Sequence, residues 1–447
     1  MGRPLRFAIV SREYPPFFGG GIGSYVRWIV PALADAGMRV HVITEAHDKV
    51  CPRVEVDGPI TVHRVPLSIG RGGWTNAAAR FSVNAGKVVA RLHRTDRIDI
   101  AEFAECEGAG AALMLLGSPA ERVPTIVQLH TPSEQLFVLR SLSNRAMDAS
   151  LASYILAERM AMRLADAILA PSRFIADWAA AHYGFETPPA VIPYATGPLP
   201  APPPPTEGPG MTVLYVGRIE PRKGVESLLR AWRSVCADRD ATLVLAGGDT
   251  SGAPDGGSMR AYLTAGLDEA TRGRVRFLGR LTPGLLRDEY ARADLCVIPS
   301  LWENFPNTCI EAMSHARPVL AGDAGGMREM IGETEAGTTF VAGDPDDLTR
   351  ALGSLLDEGR GRLIERGRAA RARIETMCDP WRIASARIEH AHRVIEESTR
   401  RTGTHRLNAL DEWRRLERTA AGNSEPIGLP TLGATVARWV QQAGVSA

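Results

Sequence analysis

Long apolar runs are missing from this 447-residue chain. The longest are short and interrupted, well under the ~18 residues needed to cross a bilayer. The first residues, Met1-Gly-Arg-Pro-Leu-Arg-Phe-Ala-Ile-Val10, lead into a strand pattern rather than a signal peptide. Arg6 stands where a myristoylation signal after Gly2 would need Ser or Thr. An excess of one charge is missing too. The 52 Lys and Arg balance 51 Asp and Glu, a formal net charge of +1, so no basic field points to nucleic acid. Cysteine is sparse, with six residues at 51, 106, 236, 296, 309 and 378. None forms a Cys-x-x-Cys pair, so the expectation is reduced thiols in a cytoplasmic protein. Gly19-Gly-Gly-Ile-Gly23 is not Gly-x-Gly-x-x-Gly, which weakens an NAD reading. It also lacks the Lys-Ser/Thr of a P-loop, against ATP hydrolysis. No nucleophile with a partnered base supports acyl transfer. No Asp-x-Asp follows a strand near the candidate site, and Asp346-Asp347 falls in an expected helix cap, so no metal is expected.

What is present is alternation of strand-like and helical patterns, in a chain long enough for two domains. Leu5–Ser11, Val40–Thr44, Thr61–Val65, Ile98–Phe103, Thr125–Leu129, Ala167–Ala170 and Ala190–Ile192 read as strands with helices between them. That order predicts a parallel sheet covered on both faces. Residues 198–210 hold seven prolines and two glycines, a stiff segment that cannot join a core. The pattern restarts at Thr212–Val216 and runs through Thr242–Ala246, Val275–Leu278, Leu295–Ile298 and Pro318–Leu320. The expected organisation is an α/β first domain over 1–197, a linker over 198–210, a second over 211–379, and helices with an extension of unknown role over 380–447.

The most informative segment is Pro299-Ser-Leu-Trp-Glu-Asn-Phe-Pro-Asn-Thr-Cys-Ile-Glu-Ala-Met313. A strand precedes it and a helix from about Thr308 follows, with Asn307 expected as N-cap. Glu303 then lies on the loop and Glu311 on the second helical turn. N–H groups at the helix start favour a phosphate, and carboxylates on either side accept hydrogen bonds from sugar hydroxyls. A phosphate with a sugar at each end describes a nucleotide sugar. Arg218 and Lys223 follow the strand Thr212–Val216 and suit a diphosphate. Such cations stabilise a leaving group that gains charge as the sugar bond breaks. Gly20 and Gly21 allow close backbone approach to a ligand. His130 ends a strand, where both a structural and a site role fit. Glu102, Glu105 and Glu107 follow another, as a solvated acidic loop or an acceptor contact. Glu329 fits either capping or ligand contact.

These motifs resemble the retaining glycosyltransferases of family 4, also called group 1, which have the GT-B fold. The resemblance rests on the Glu-x7-Glu element with its Asn-Phe-Pro-Asn core and on Tyr14-Pro-Pro-Phe-Phe-Gly-Gly-Gly-Ile-Gly-Ser-Tyr25. Val216-Gly-Arg-Ile-Glu-Pro-Arg-Lys-Gly224 and Ala324-Gly-Gly-Met-Arg-Glu329 follow in the family's order. It covers about residues 5 to 395. It implies two Rossmann-like domains facing a central cleft, with the C-terminal helix crossing back to the first. It further implies transfer from a UDP- or GDP-sugar to a hydroxyl acceptor with retention, without metal or cofactor. By resemblance Glu303 holds the transferred sugar, with His130, Arg218 and Lys223 beside it in catalysis. Gly20, Gly21, Arg280, Leu281, Asn307, Thr308 and Glu311 line the donor, with Glu311 on the ribose. The acceptor class stays open between a small molecule, a glycan and a lipid-linked sugar, as does the oligomeric state. A basic face of Arg140, Arg145, Arg159 and Arg163 offers membrane contact, ranked below free solubility. A GT-B nucleotide-sugar epimerase and a non-catalytic nucleotide-sugar binding protein are the competing readings.

Overall fold

Short runs of Val, Ile, Leu and Ala between helical segments bury both faces, and parallel sheets are the architecture that such strands serve. The computed structural model describes residues 3–17, 20–47, 53–67, 77–116, 123–140, 149–185, 187–202, 208–332 and 334–400. The extension of unknown role beyond residue 400 therefore lies outside the described residues.

Two units cluster separately. The first comprises the described residues up to Pro171, Ala176–Ala195 and the helix Pro380–Arg400. Its strands are β1 (Arg6–Val10), β2 (Arg39–Glu45), β3 (Val54–Asp57), β4 (Ile60–Val65), β5 (Ile100–Ala104), β6 (Thr125–Gln128), β7 (Ala167–Ala170) and β8 (Ala190–Val191). They form an eight-stranded sheet in the order β3-β4-β2-β1-β5-β6-β7-β8. All neighbours are parallel except the edge pair β3 and β4. Phe81, Val89, Phe103 and Ile43 are buried against one face. The helix Pro380–Arg400 packs on the helix Gly21–Asp35 and belongs to the first unit.

The second unit comprises Ser172–Ile175 and Thr196–Asp379. Its strands are β9 (Met211–Val216), β10 (Ala241–Ala246), β11 (Val275–Gly279), β12 (Leu295–Ile298), β13 (Val319–Gly322) and β14 (Gly337–Phe340). They run parallel in the order β11-β10-β9-β12-β13-β14 around a core containing Trp232, Leu228, Leu243 and Val297.

In both sheets the order of the central parallel strands reverses. The reversal lies between β1 and β5 in the first and between β9 and β12 in the second. Loops leaving such a switch point diverge to opposite faces and leave a crevice at the strands' carboxyl ends, where open α/β sheets bind ligands. The segments 11–20, 105–110, 217–224 and 299–307 all leave those four strands. No helix among the described residues is long and apolar enough to cross a membrane. Arg159, expected on a basic face, pairs with Glu134.

Candidate functional site

At the switch point of the second sheet, the loops after β9 and β12 lie against each other. Gly224 has φ +68°, and an added Cβ would fall 1.8 Å from the Pro299 carbonyl oxygen, so only glycine permits this approach. The Leu301 N–H donates to the Arg222 carbonyl at 2.9 Å and ties the loops together. Lys223 is thereby held with its Nζ against Glu303 Oε1. Ser300 Oγ donates to the same oxygen at 2.8 Å. Arg222 Nη1 lies 3.4 Å from Glu303 Oε2, and its guanidinium stacks 5.0 Å from the Trp302 ring centre. From the far side, Gly326 N–H donates to the Glu303 carbonyl at 2.8 Å. Gly325, at φ +72°, leaves room for this, since a Cβ there would sit 2.0 Å from the same oxygen.

Burial pushes the Glu303 carboxyl up, but Lys223 and Arg222, with hydrogen bonds from Lys223 and Ser300, more than offset it. Its pKa lies below the usual carboxylate range, and it stays ionised at neutral pH. Arg218 stands apart: its side chain is 62% exposed and reaches Glu220 at 3.2 Å, leaving the guanidinium open to a ligand. Arg222 bore no role in the sequence reading. A second cation beside the motif lysine was the sole hint.

The helix Asn307–Ser314 begins one residue earlier than the expected cap allows. Pro306 is the N-cap residue: its carbonyl accepts from Cys309 at 3.0 Å, and no side-chain hydrogen bond caps the helix. Asn307 is therefore the first helical residue, which corrects its assignment as cap, and Thr308 is the second. Glu311 lies on the following turn, where Tyr290 Oη donates to its Oε2 at 2.9 Å. Burial raises the Glu311 carboxyl to about 7, opposed by that hydrogen bond. The buried Tyr290 ring stacks on His315, with centroids 4.9 Å apart. Tyr290 precedes Glu311 by 21 residues on another helix, so no spacing rule reaches it.

Arg280 and Leu281 follow β11 directly, with Arg280 exposed. Gly247 N–H donates to the Gly279 carbonyl at 2.8 Å and joins the β10 and β11 loops. Glu329 resolves to capping. Its oxygens accept from the N–H groups of Arg173 and Phe174, both at 2.8 Å, in the short segment Ser172–Ile175 of this unit.

In the first unit, the helix Gly21–Asp35 opens without a side-chain cap on its own N-cap residue, Gly20. Glu13 supplies the anion instead. Its Oε2 accepts from Gly20 N–H at 3.1 Å and Gly23 N–H at 3.0 Å, at the helix end expected to face a phosphate. Gly21 is exposed on the first turn. His130 follows β6 and is 7% exposed, with Nδ1 2.6 Å from Tyr194 Oη. Burial, then the Arg387 charge, hold it down at about 3, so the imidazole is neutral.

Glu102 lies within β5 and Glu105 and Glu107 follow it, and the three do not form a solvated loop. Glu102 is buried, with Oε2 2.6 Å from Arg387 Nη1 and Oε1 accepting from Tyr25 Oη. Glu105 is buried and accepts from backbone N–H groups of His130 and Thr131. Glu107 pairs with Arg12. Glu102 and Glu107 are paired within the protein, while Glu105 is tied to the backbone through Oε1 and keeps its Oε2 buried without a hydrogen-bond partner. Arg387 had no motif signal, because its partners lie more than 250 residues away in sequence.

Two family models match the chain. One, described as glycosyl transferases group 1, matches residues 210–358, and a glycosyl transferase 4-like domain matches 20–195. A glycogen synthase of Mycobacterium tuberculosis is 26% identical over 412 residues, covering 86% of this chain and 93% of that protein. The solved sucrose-phosphate synthase of Thermosynechococcus elongatus superposes with a TM-score of 0.70 at 23% identity, covering 88% of this chain and 100% of the other. The Anabaena protein HepE, solved with UDP and glucose, gives a TM-score of 0.60 at 19% identity over 86% of this chain and 99% of its own.

Proposed function

Because the chain belongs to the group 1, family 4-like glycosyltransferases with the GT-B fold, we propose that it transfers a sugar from a nucleotide diphosphate sugar to a hydroxyl acceptor with retention of configuration. The observation that carries this reading is the convergence at one switch point of ionised Glu303, its cations Lys223 and Arg222, and Glu311 on the adjoining helix. A leaving diphosphate gains negative charge in the transition state, and preplaced cations stabilise it there more than in the ground state. Lys223 and exposed Arg218 take that role. Glu303 receives hydroxyls of the transferred sugar, and Glu311 receives the ribose. Asn307 and Thr308 offer N–H groups of the helix start, and the backbone at Arg280 and Leu281 meets the base. The departing phosphate helps remove the acceptor proton on the same face. No metal and no cofactor beyond the nucleotide sugar enters this scheme, and a chelator is expected to leave turnover unchanged. His130, neutral and backed by Tyr194, serves as a hydrogen-bonding group and not as a proton donor at neutral pH.

The test is a thermal shift of wild type and Glu311→Ala with UDP, GDP, ADP and TDP, with UDP first because HepE holds it. A ligand at 100 times its Kd stabilises by about 2.7 kcal/mol. One nucleotide should raise the melting temperature, and Glu311→Ala should weaken that response. No response from wild type to any nucleotide would remove the physical basis of the reading.

Nucleotide affinity should also depend on pH with a determined sign. The ionised carboxylate is the better acceptor for ribose hydroxyls, while free Glu311 titrates at about 7. Binding therefore expels a proton below that pH, and affinity climbs as pH rises from 6 to 8, by up to about tenfold. Calorimetry in two buffers of different ionisation enthalpy reads the released proton. Glu311→Gln should abolish both the release and the slope.

A further inference from the structure

Behind His130 lie two buried carboxyls that none of the steps above employs. Glu105 and Glu158 are 0% and 1% exposed. Glu105 Oε1 accepts from His130 N–H at 2.8 Å and from Thr131 N–H, while its Oε2 is buried with no hydrogen-bond partner. Glu158 Oε2 accepts from Ser133 N–H at 2.7 Å. Its Oε1 accepts from Ser133 Oγ at 2.7 Å and from Glu107 N–H at 2.9 Å. The turn His130–Ser133, which joins β6 to the next helix, thus hangs from two side chains, and no cation among the described residues pairs with either.

Two uncompensated carboxylates in one dry site repel each other, so the cheaper state keeps a proton on the pair. We propose that Glu105 and Glu158 are the positioning residues of the His130 turn and act as a proton-holding carboxyl pair whose full ionisation loosens that turn. Glu105 anchors the residue on one side of Pro132 and Glu158 the residue on the other. A neutral Glu105 also turns its Oε2 from an unmatched anion into a hydroxyl or carbonyl that tolerates burial.

The surroundings support the same state. Burial raises Glu105 to about 7; burial, followed by the Glu105 charge, raises Glu158 to about 8. Cys106, Tyr183 and Tyr194 face the pair, and burial pushes all three up, so they add no charge near neutrality. Of the charged groups nearby, Arg12 is committed to Glu45 and Glu107, Arg159 to Glu134, and Arg387 to Glu102. No cation is left to compensate the second ionisation.

The proposal rests on the transferase reading only in giving the turn a task, so its test reads the turn directly. Hydrogen exchange of full-length protein is measured by mass spectrometry from pH 6 to 9, corrected for intrinsic rates. A peptide spanning 125–136 is compared with a reference from the second unit. Protection in 125–136 should fall by about tenfold across this range while the reference stays level. Glu158→Gln and Glu105→Gln, which each leave a single ionisable carboxyl and so prevent the double ionisation, should each abolish the fall across this range. Glu158→Gln should flatten the alkaline limb of kcat, with donor KM unchanged. Constant protection of wild type across the range would overturn the proposal, even if neither variant folded. Equal pH dependence in wild type and folded variants would overturn it as well. If no nucleotide stabilises wild type yet exchange follows this course, the transferase reading fails and the carboxyl pair stands.

Discussion

Lys223→Ala is expected to lower kcat/KM for the nucleotide sugar by about 10²–10³-fold, the loss typical of removing one preplaced electrostatic group from a transition state. Two effects combine. The diphosphate loses a cation, and Glu303 loses the partner of its Oε1. Glu303 keeps Ser300 at 2.8 Å and Arg222 at 3.4 Å, but the stronger of its two ion pairs is gone. Burial then acts less opposed and raises the carboxyl toward neutrality. The sign follows: a carboxyl depressed in the folded protein contributes stability above its unfolded pKa and loses it as pH falls. Lys223→Ala removes part of that contribution, so its melting temperature drops at pH 7 and approaches wild type in acid. The double variant Lys223→Ala, Glu303→Gln separates the effects. It should regain much of the stability, because no buried charge remains unpaired, and none of the activity. A Lys223→Ala enzyme with turnover near wild type would sink the assignment of Lys223 to the leaving group.

Much of this architecture is legible in sequence because buried parallel strands have a simple signature. Val213-Leu-Tyr-Val216 and Leu295-Cys-Val-Ile298 are continuous apolar runs and sit side by side at the centre of their sheet. The two strands that escape are those lacking that signature. Val54–Asp57 is an antiparallel edge strand with Val54 and Val56 exposed, and Gly337–Phe340 has one buried residue in four. Neither buries enough surface to write an apolar run.

The site divides along the same line. Glu303, Glu311 and Lys223 are legible because the chemistry demands residue types at short spacings. Arg222, Tyr290, Glu105 and Glu158 act through the fold, and their partners are brought close by loop packing over tens of residues. The Asn307 cap failed for a related reason. Residue preference names the best capping side chain, but the carbonyl of Pro306 accepts the first helical bond and sets the boundary one residue earlier.

Arg387→Ala is expected to be the most destabilising single change, at about 3–5 kcal/mol. The helix Pro380–Arg400 lies beyond both matched family segments, yet its Arg387 is 2% exposed in the first unit. The guanidinium spans Glu102 Oε2 at 2.6 Å and Gln128 Oε1, and it covers the Tyr25 ring at 5.0 Å. Glu102 lies on β5 and Gln128 on β6, so one side chain fastens the C-terminal helix to two central strands. Its removal leaves the Glu102 carboxylate with one hydrogen bond, from Tyr25, in a site 4% exposed. Calorimetry should find a melting temperature lower by roughly 6–20 °C. Arg387→Met with Glu102→Leu removes both charges and keeps the volume, and it should recover most of the loss, since buried pairs exchange for apolar side chains at little net cost. Should Arg387→Ala cost less than about 1 kcal/mol, the helix would owe its place to apolar packing alone. The recovery in the double variant shows that the cost of Arg387→Ala includes an unpaired buried charge, because replacing Glu102 as well removes that charge.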